Sequence, residues 1–125
     1  MVAGERSNTM NPPTNPVGYS ELHTPDPARA RAFYTELFGW KADEQPTPMG
    51  PYTLFQDLLA GLIATSDIPV GWVPYVNVEN ISRSTKRAKD LGAQVLRDCV
   101  TIPEGTFSVV RDPTGAMLGL WQKKQ

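Results

Sequence analysis

Tyr19, Glu21 and His23 stand at alternate positions in the segment from Val17 to His23. In a β-strand that spacing aims all three side chains at one face, so a phenol, a carboxylate and an imidazole share a direction. A carboxylate on such a face can serve as a general base. The competing role is structural: Glu21 pairs with a neighbouring strand or accepts backbone hydrogen bonds, and His23, beside Thr24 and Pro25, makes a turn hydrogen bond at a strand end. Metal chemistry has few donors to draw on. The chain has one histidine and one cysteine, which excludes any site that needs two imidazoles. Two ligands from one strand do not make a site, and a third would come from Tyr75, Asn77, Ser108 or a loop residue, Glu104, none of them strong. No metal and no cofactor are therefore expected. Cys99, with Arg97 as its only basic neighbour, reads as an inert thiol.

The elements that carry these residues follow from caps and periodicity. A first strand from Val17 to His23 leads to Asp26 as helix N-cap, with Pro27 in the first turn, where a missing N–H costs nothing. Ala30, Phe33, Tyr34 and Leu37 recur at helical spacing, and Gly39 supplies a left-handed stop. Phe38 and Trp40 are expected to pack around it. Strands from Trp40 to Gln45, Tyr52 to Gln56 and Leu59 to Ala64 follow. A strand from Trp72 to Val78, an N-cap at Asn80, and Ile81, Thr85, Ala88 and Leu91 on one helical face before Gly92 repeat the order. Three more strands run from Gln94 to Thr101, Thr106 to Arg111 and Ala116 to Gln122. The last two are joined by a turn, Asp112-Pro113-Thr114-Gly115, which Arg111 and Asp112 stabilise. The two caps lie 54 positions apart and the two glycine stops 53 apart, the mark of an internal repeat.

Length and composition bound the rest. A chain of 125 residues, 40% hydrophobic and 20% charged, fits one globular domain. A net charge of −1 favours neither nucleic acid nor an anionic membrane surface. The longest apolar run, Leu58 to Ala64, is too short to span a bilayer. The single cysteine suits a reducing cytoplasm. Residues 1–16 lack an apolar signal-peptide region and read as a flexible leader. The domain is expected over 17–122, as repeats 17–65 and 72–122, with a tail at 123–125.

Glu21-Leu22, Asp26-Pro27, Phe33-Tyr34 and Leu37-Phe38-Gly39-Trp40 in the first half resemble the vicinal oxygen chelate superfamily. So do Val78-Glu79-Asn80, Leu91-Gly92-Ala93 and Arg111 to Gly115 in the second. That superfamily includes glyoxalase I, extradiol dioxygenases and bleomycin-resistance proteins. The resemblance implies an α+β fold of two βαβββ repeats, with cupped mixed sheets, helices on the convex faces and a ligand site in the concave cavity. It also implies a homodimer, to which the exposed-looking Trp40, Trp72 and Trp121 lend support. The superfamily's four metal-ligand positions fall by register at Tyr19, Gly61, Val73 and Gly119, which supply no usable donor set. The cavity lining is expected to comprise Tyr19, Glu21, His23, Val73, Tyr75, Asn77, Met117 and Trp121, which suits a flat organic ligand. The expectation is a metal-independent protein that binds a small hydrophobic or aromatic molecule. The alternative is a metal-independent isomerase or proton-transfer enzyme using Glu21 with Tyr19 or Tyr75, and a glyoxalase I-type metal-dependent lyase is the third reading.

Overall fold

The computed structural model describes residues 15–47 and 50–125, so most of the expected leader lies outside the described residues. The elements, in order, are β1 (Val17–Thr24), α1 (Pro27–Phe38), β2 (Ala42–Gln45), β3 (Tyr52–Phe55), β4 (Ala60–Ala64), β5 (Gly71–Asn77), α2 (Ile81–Asp90), β6 (Gln94–Ile102), β7 (Gly105–Arg111) and β8 (Met117–Lys123). This is the βαβββ pattern twice. The strands form one open mixed sheet in the order β2-β3-β4-β1-β5-β8-β7-β6. In each half the first strand pairs in parallel with the last, and the halves meet where β1 and β5 run antiparallel at the centre. No described helix is long and apolar enough to cross a membrane.

Local chemistry sets the helix ends. The Asp26 carboxylate accepts the Arg29 N–H, Pro27 opens α1, and Gly39 at φ 72° returns its N–H to the Thr35 carbonyl. A residue with a Cβ would strain that left-handed turn. Asn80 caps α2 in the same way, through the Arg83 N–H. The second helix closes one residue earlier than Gly92, at Leu91, whose N–H reaches the Arg87 and Ala88 carbonyls. In the last turn the Asp112 carboxylate takes hydrogen bonds from the Thr114 N–H, the Thr114 hydroxyl and the Ala116 N–H. Arg111 does not share that role, and its buried Nε has no partner.

Both helices cover the same face of the sheet. Leu22 and its cross-strand partner Trp72 meet α1 through Tyr34, and Ser108, opposite Leu120 on β8, bonds Thr85 of α2. On this side Leu22, Phe55 and Leu62 form a buried cluster with Ala30, Tyr34 and Trp40. Burying such side chains contributes about 1.5–3 kcal/mol each. The apolar periodicity of α1 overstates its buried face: Phe33 and Leu37 are 57% and 56% exposed. The ring of Tyr34 fills the seam, stacking on Trp40 and meeting Phe55 and Trp72 edge-on, and no room is left for its neighbours. Phe38 stacks on Trp40 but stays largely exposed. Trp40 itself lies outside β2, because Gly39 turns its indole back onto the helix.

Candidate functional site

Alternation leaves Tyr19, Glu21 and His23 on the helix-free face. Register supplies their neighbours: Tyr19 stands opposite Tyr75, Glu21 opposite Val73 on one side and Gly61 on the other, and Tyr75 opposite Gly119. Glu21 and Tyr75 are separated by 54 positions, like the two N-caps, so they occupy equivalent places in the two repeats. They meet across the pseudo-twofold, where the Tyr75 hydroxyl donates to Glu21 Oε1 at 2.8 Å. His23 Nε2 lies 3.0 Å from the same oxygen and 3.5 Å from the Tyr75 hydroxyl, while its Nδ1 faces the Thr65 hydroxyl at 3.5 Å. The geometry suits the tautomer that carries its proton on Nε2 and donates it to the carboxylate. Tyr19 bonds through its hydroxyl to that of Tyr52, and its ring meets Tyr75 edge-on.

Burial decides the state of the phenols. His23 is 3% exposed, and the Glu21 side chain keeps 15% of its surface. Desolvation is the largest cause that lifts the phenols, with the Glu21 charge adding to it. Tyr19 is pushed up to about 12, its bond to Tyr52 working in the opposite direction. Tyr52 and Tyr75 are driven well above the ordinary tyrosine range. All three phenols remain neutral at physiological pH, Tyr75 donating to Glu21 while Tyr19 and Tyr52 bond each other. Such an arrangement can hold a hydrogen-bond donor or cation of a ligand against Glu21, or let Glu21 accept a proton.

Four of the expected lining residues, Tyr19, Glu21, His23 and Tyr75, therefore converge. His23, the penultimate residue of β1, is buried there and partners Glu21 instead of making a turn hydrogen bond. The other four are placed differently. Val73 is 1% exposed beneath Ile68, and Met117 and Trp121 pack with Phe107 against the same cluster. Asn77 is exposed at the far end of β5, beside Gly18. Three contributors escaped the sequence reading: Tyr52 on β3, Thr65 after β4, and the linker between the repeats. That linker lies over the helix-free face of the second half, with Ile68 buried on Val73, Tyr75 and Val109 and the Asp67 carboxylate held by Arg97 at 2.8 Å. Tyr52 had one available signal, its alternation with Leu54, but only the β3–β4–β1 register sets it level with Ile63 and His23, from where its hydroxyl lies over Gly61, the partner of Glu21.

The superfamily's metal positions can be tested against this packing. A Cβ on Gly61 would come within 2.3 Å of the Tyr19 and Tyr52 hydroxyls, and one on Gly119 within 2.3 Å of the Tyr75 ring. Tyrosines thus fill the space that ligating side chains would need. Val73 offers no donor, and neutral Tyr19 is a poor one. Among the described residues no three His, Cys, Asp or Glu are grouped to hold a metal ion. The donor set does not fit a divalent ion.

The model of a family described as a glyoxalase-like domain matches residues 20–120. CFP32 of Mycobacterium tuberculosis, named as a candidate glyoxylase, is 34% identical over 113 residues, covering 82% of this chain and 43% of that protein. DnrV of Streptomyces peucetius, named an anthracycline biosynthesis protein, is 29% identical over 124 residues, covering 82% of this chain and 45% of the relative. The chain spans less than half the length of these curated relatives. Methylmalonyl-CoA epimerase from Mycobacterium tuberculosis shares the fold, with a TM-score of 0.62 at 12% identity over 95% of this chain and 96% of that one.

Proposed function

The chain belongs to the glyoxalase-like family, and from that premise we propose that it is a metal-independent module that binds a small aromatic or hydrophobic molecule on its helix-free face. The observation that carries this reading is Glu21: a partly exposed carboxylate fixed by Tyr75 and His23 amid apolar and phenolic surface. An aromatic ligand would lie against Tyr19 and Tyr52 and place a hydroxyl, amine or other donor on Glu21. The name of the relative DnrV, an anthracycline biosynthesis protein, supports a flat polycyclic ligand. The metal-independent part rests on the misfit of Tyr19, Gly61, Val73 and Gly119 as a donor set. A cytoplasmic setting, in keeping with the single cysteine, belongs to the same proposal.

The contact between His23 Nε2 and Glu21 favours a second reading, proton transfer. Glu21 would take a proton from an acidic C–H or O–H of the ligand and return it elsewhere on the same molecule. The Tyr75 and His23 hydrogen bonds would hold the carboxylate in place, and a neutral phenol would stabilise the negative charge left on the substrate.

One set of measurements separates the readings. Thermal shifts across a panel of aromatic metabolites and polyketide antibiotics, on wild type and Glu21→Gln, should show hits that stabilise the wild type and lose at least tenfold in affinity in the variant. Turnover of any hit, abolished in Glu21→Gln, would select the proton-transfer reading. No stabilising compound, or equal binding by a folded Glu21→Gln variant, would overturn the site. Stoichiometric metal in protein purified without chelator would overturn the metal-independent reading in favour of the lyase.

A further inference from the structure

The linker between the repeats lies on the helix-free face in a way that the site at Glu21 does not explain. Between Thr65, whose N–H bonds to the Thr24 carbonyl, and the start of β5 at Gly71, no backbone hydrogen bond ties it to the sheet among the described residues. Two side chains hold it there instead. Ile68 is buried on Val73, Tyr75 and Val109, while the next two residues, Pro69 and Val70, stay exposed. Asp67 gives its carboxylate to Arg97 at 2.8 Å yet keeps 65% of its side-chain surface. The Arg97 hydrogen bond holds that carboxyl below the ordinary aspartate range. An ion pair so exposed stabilises little and exchanges readily.

The register sets Tyr75, Gly119, Val109 and Arg97 side by side across β5, β8, β7 and β6. Beneath Ile68 there is thus an apolar floor with a guanidinium at its rim. A second cation stands close by. Arg111 follows Val109 by two positions on the same face of β7, about 7 Å along the strand. It forms no ion pair among the described residues, and its buried Nε lacks an acceptor. An apolar floor flanked by two guanidiniums is suited to an amphipathic anion.

We propose that Asp67 and Ile68 occupy, from within the chain, a subsite for an apolar carboxylic acid. The carboxylate of that ligand takes the place of the Asp67 side chain on Arg97, and its aliphatic or aromatic body takes the place of Ile68 on Val73, Tyr75 and Val109. Arg111 adds a second positive charge on the same side. The linker is then a tethered competitor, and apparent affinity is lowered by the fraction of time it stays seated. This subsite shares Tyr75 with Glu21 but does not rest on the reading proposed for that carboxylate. The two differ in demand, since Glu21 selects a donor or cation and Arg97 an anion.

Calorimetric titration of the full chain with naphthoate and with its neutral isostere naphthamide tests the proposal, with circular dichroism as the control for folding. The wild type should bind naphthoate the more tightly of the two. Asp67→Asn and Arg97→Gln break the same ion pair and free the linker alike, so each should tighten naphthamide about two- to fivefold. They should part on naphthoate: Asp67→Asn tightens it too, whereas Arg97→Gln binds it about tenfold more weakly than Asp67→Asn does, because its charged partner is gone. Ile68→Ala should tighten both compounds. Asp67 is exposed, so its variant reads the linker even where Ile68→Ala is too unstable to titrate. Equal naphthoate affinity in Asp67→Asn and Arg97→Gln would overturn the seat on Arg97. Affinities unchanged in Asp67→Asn, or no binding of either compound by any variant, would overturn the subsite. Naphthoate binding lost in Glu21→Gln but unmoved by Arg97→Gln would place the acid at Glu21 and overturn it as well.

Discussion

Gly61 and Gly119 hold equivalent places in the two repeats, yet alanine should affect them differently. At Gly119 the new Cβ would sit 2.3 to 2.5 Å from Cδ2, Cε2 and Cγ of Tyr75. Those atoms include the root of the ring, which cannot swing aside without moving the whole side chain. Forcing it out adds overpacking of about 1–3 kcal/mol. It also withdraws the Tyr75 hydroxyl from Glu21, and a hydrogen bond to a charged group contributes about 1.5–3 kcal/mol. Less the roughly 0.4–1 kcal/mol that alanine returns through the unfolded chain, Gly119→Ala should therefore cost about 2–5 kcal/mol, a large part of the roughly 5–15 kcal/mol of a typical domain. At Gly61 the nearest atoms are the hydroxyl ends of Tyr19 and Tyr52. These tips can part by rotating, which loses their mutual hydrogen bond at about 0.5–1.5 kcal/mol. Alanine's lower entropy in the unfolded chain returns about 0.4–1 kcal/mol. Gly61→Ala should thus cost at most about 1 kcal/mol. Urea unfolding followed by tryptophan fluorescence measures both, and a double-mutant cycle with Tyr75→Ala isolates the clash. Removing the ring should make Gly119→Ala nearly neutral, a coupling of at least 2 kcal/mol. Equal costs at the two glycines, or additivity in the cycle, would refute the assignment of Tyr75 to the space over Gly119.

Two further outcomes follow from the same face. The folded-state pKa of Tyr19, about 12 against an ordinary 10, means that its contribution to stability is complete below pH 10 and is lost as pH rises through about 12. Alkaline unfolding curves should show Tyr19→Phe losing stability less steeply than wild type in that window, and parallel curves would contradict the burial of the phenol. Ile68→Ala should remove about 2–4 kcal/mol through a cavity against Val73, Tyr75 and Val109, read by denaturant titration. A loss below about 1 kcal/mol would mean that the linker does not rest on that face.

Much of the frame was legible because it is local. Asp26, Pro27 and Gly39 mark α1 and Asn80 marks α2, since capping depends on the backbone groups of one turn. The turn after β7 was readable for the same reason, through Asp112 and Gly115. Period-two alternation put Tyr19, Glu21 and His23 on one face before any partner strand was known. Other features escaped because neighbours decide them. The period-3.6 pattern grouped Phe33 and Leu37 with Ala30 and Tyr34, but one aromatic ring filled the available seam. Cys99, expected within a regular strand, sits at φ 49° in a bulge of β6, where its N–H donates to the Ser108 hydroxyl. Periodicity carries no sign of such an insertion.

By itself the sequence determined the repeated βαβββ order, the family and the poverty of metal donors, all of which depend on residue types and near-neighbour spacing. Tertiary structure alone decided that Glu21 and Tyr75 bond across the pseudo-twofold and that Tyr52 joins them. It also decided that Ile68 covers the half-face expected to line a cavity and that α1 keeps an apolar stripe outside. These outcomes depend on strand register and on competition for a limited volume, and neither is written within any single window of the chain.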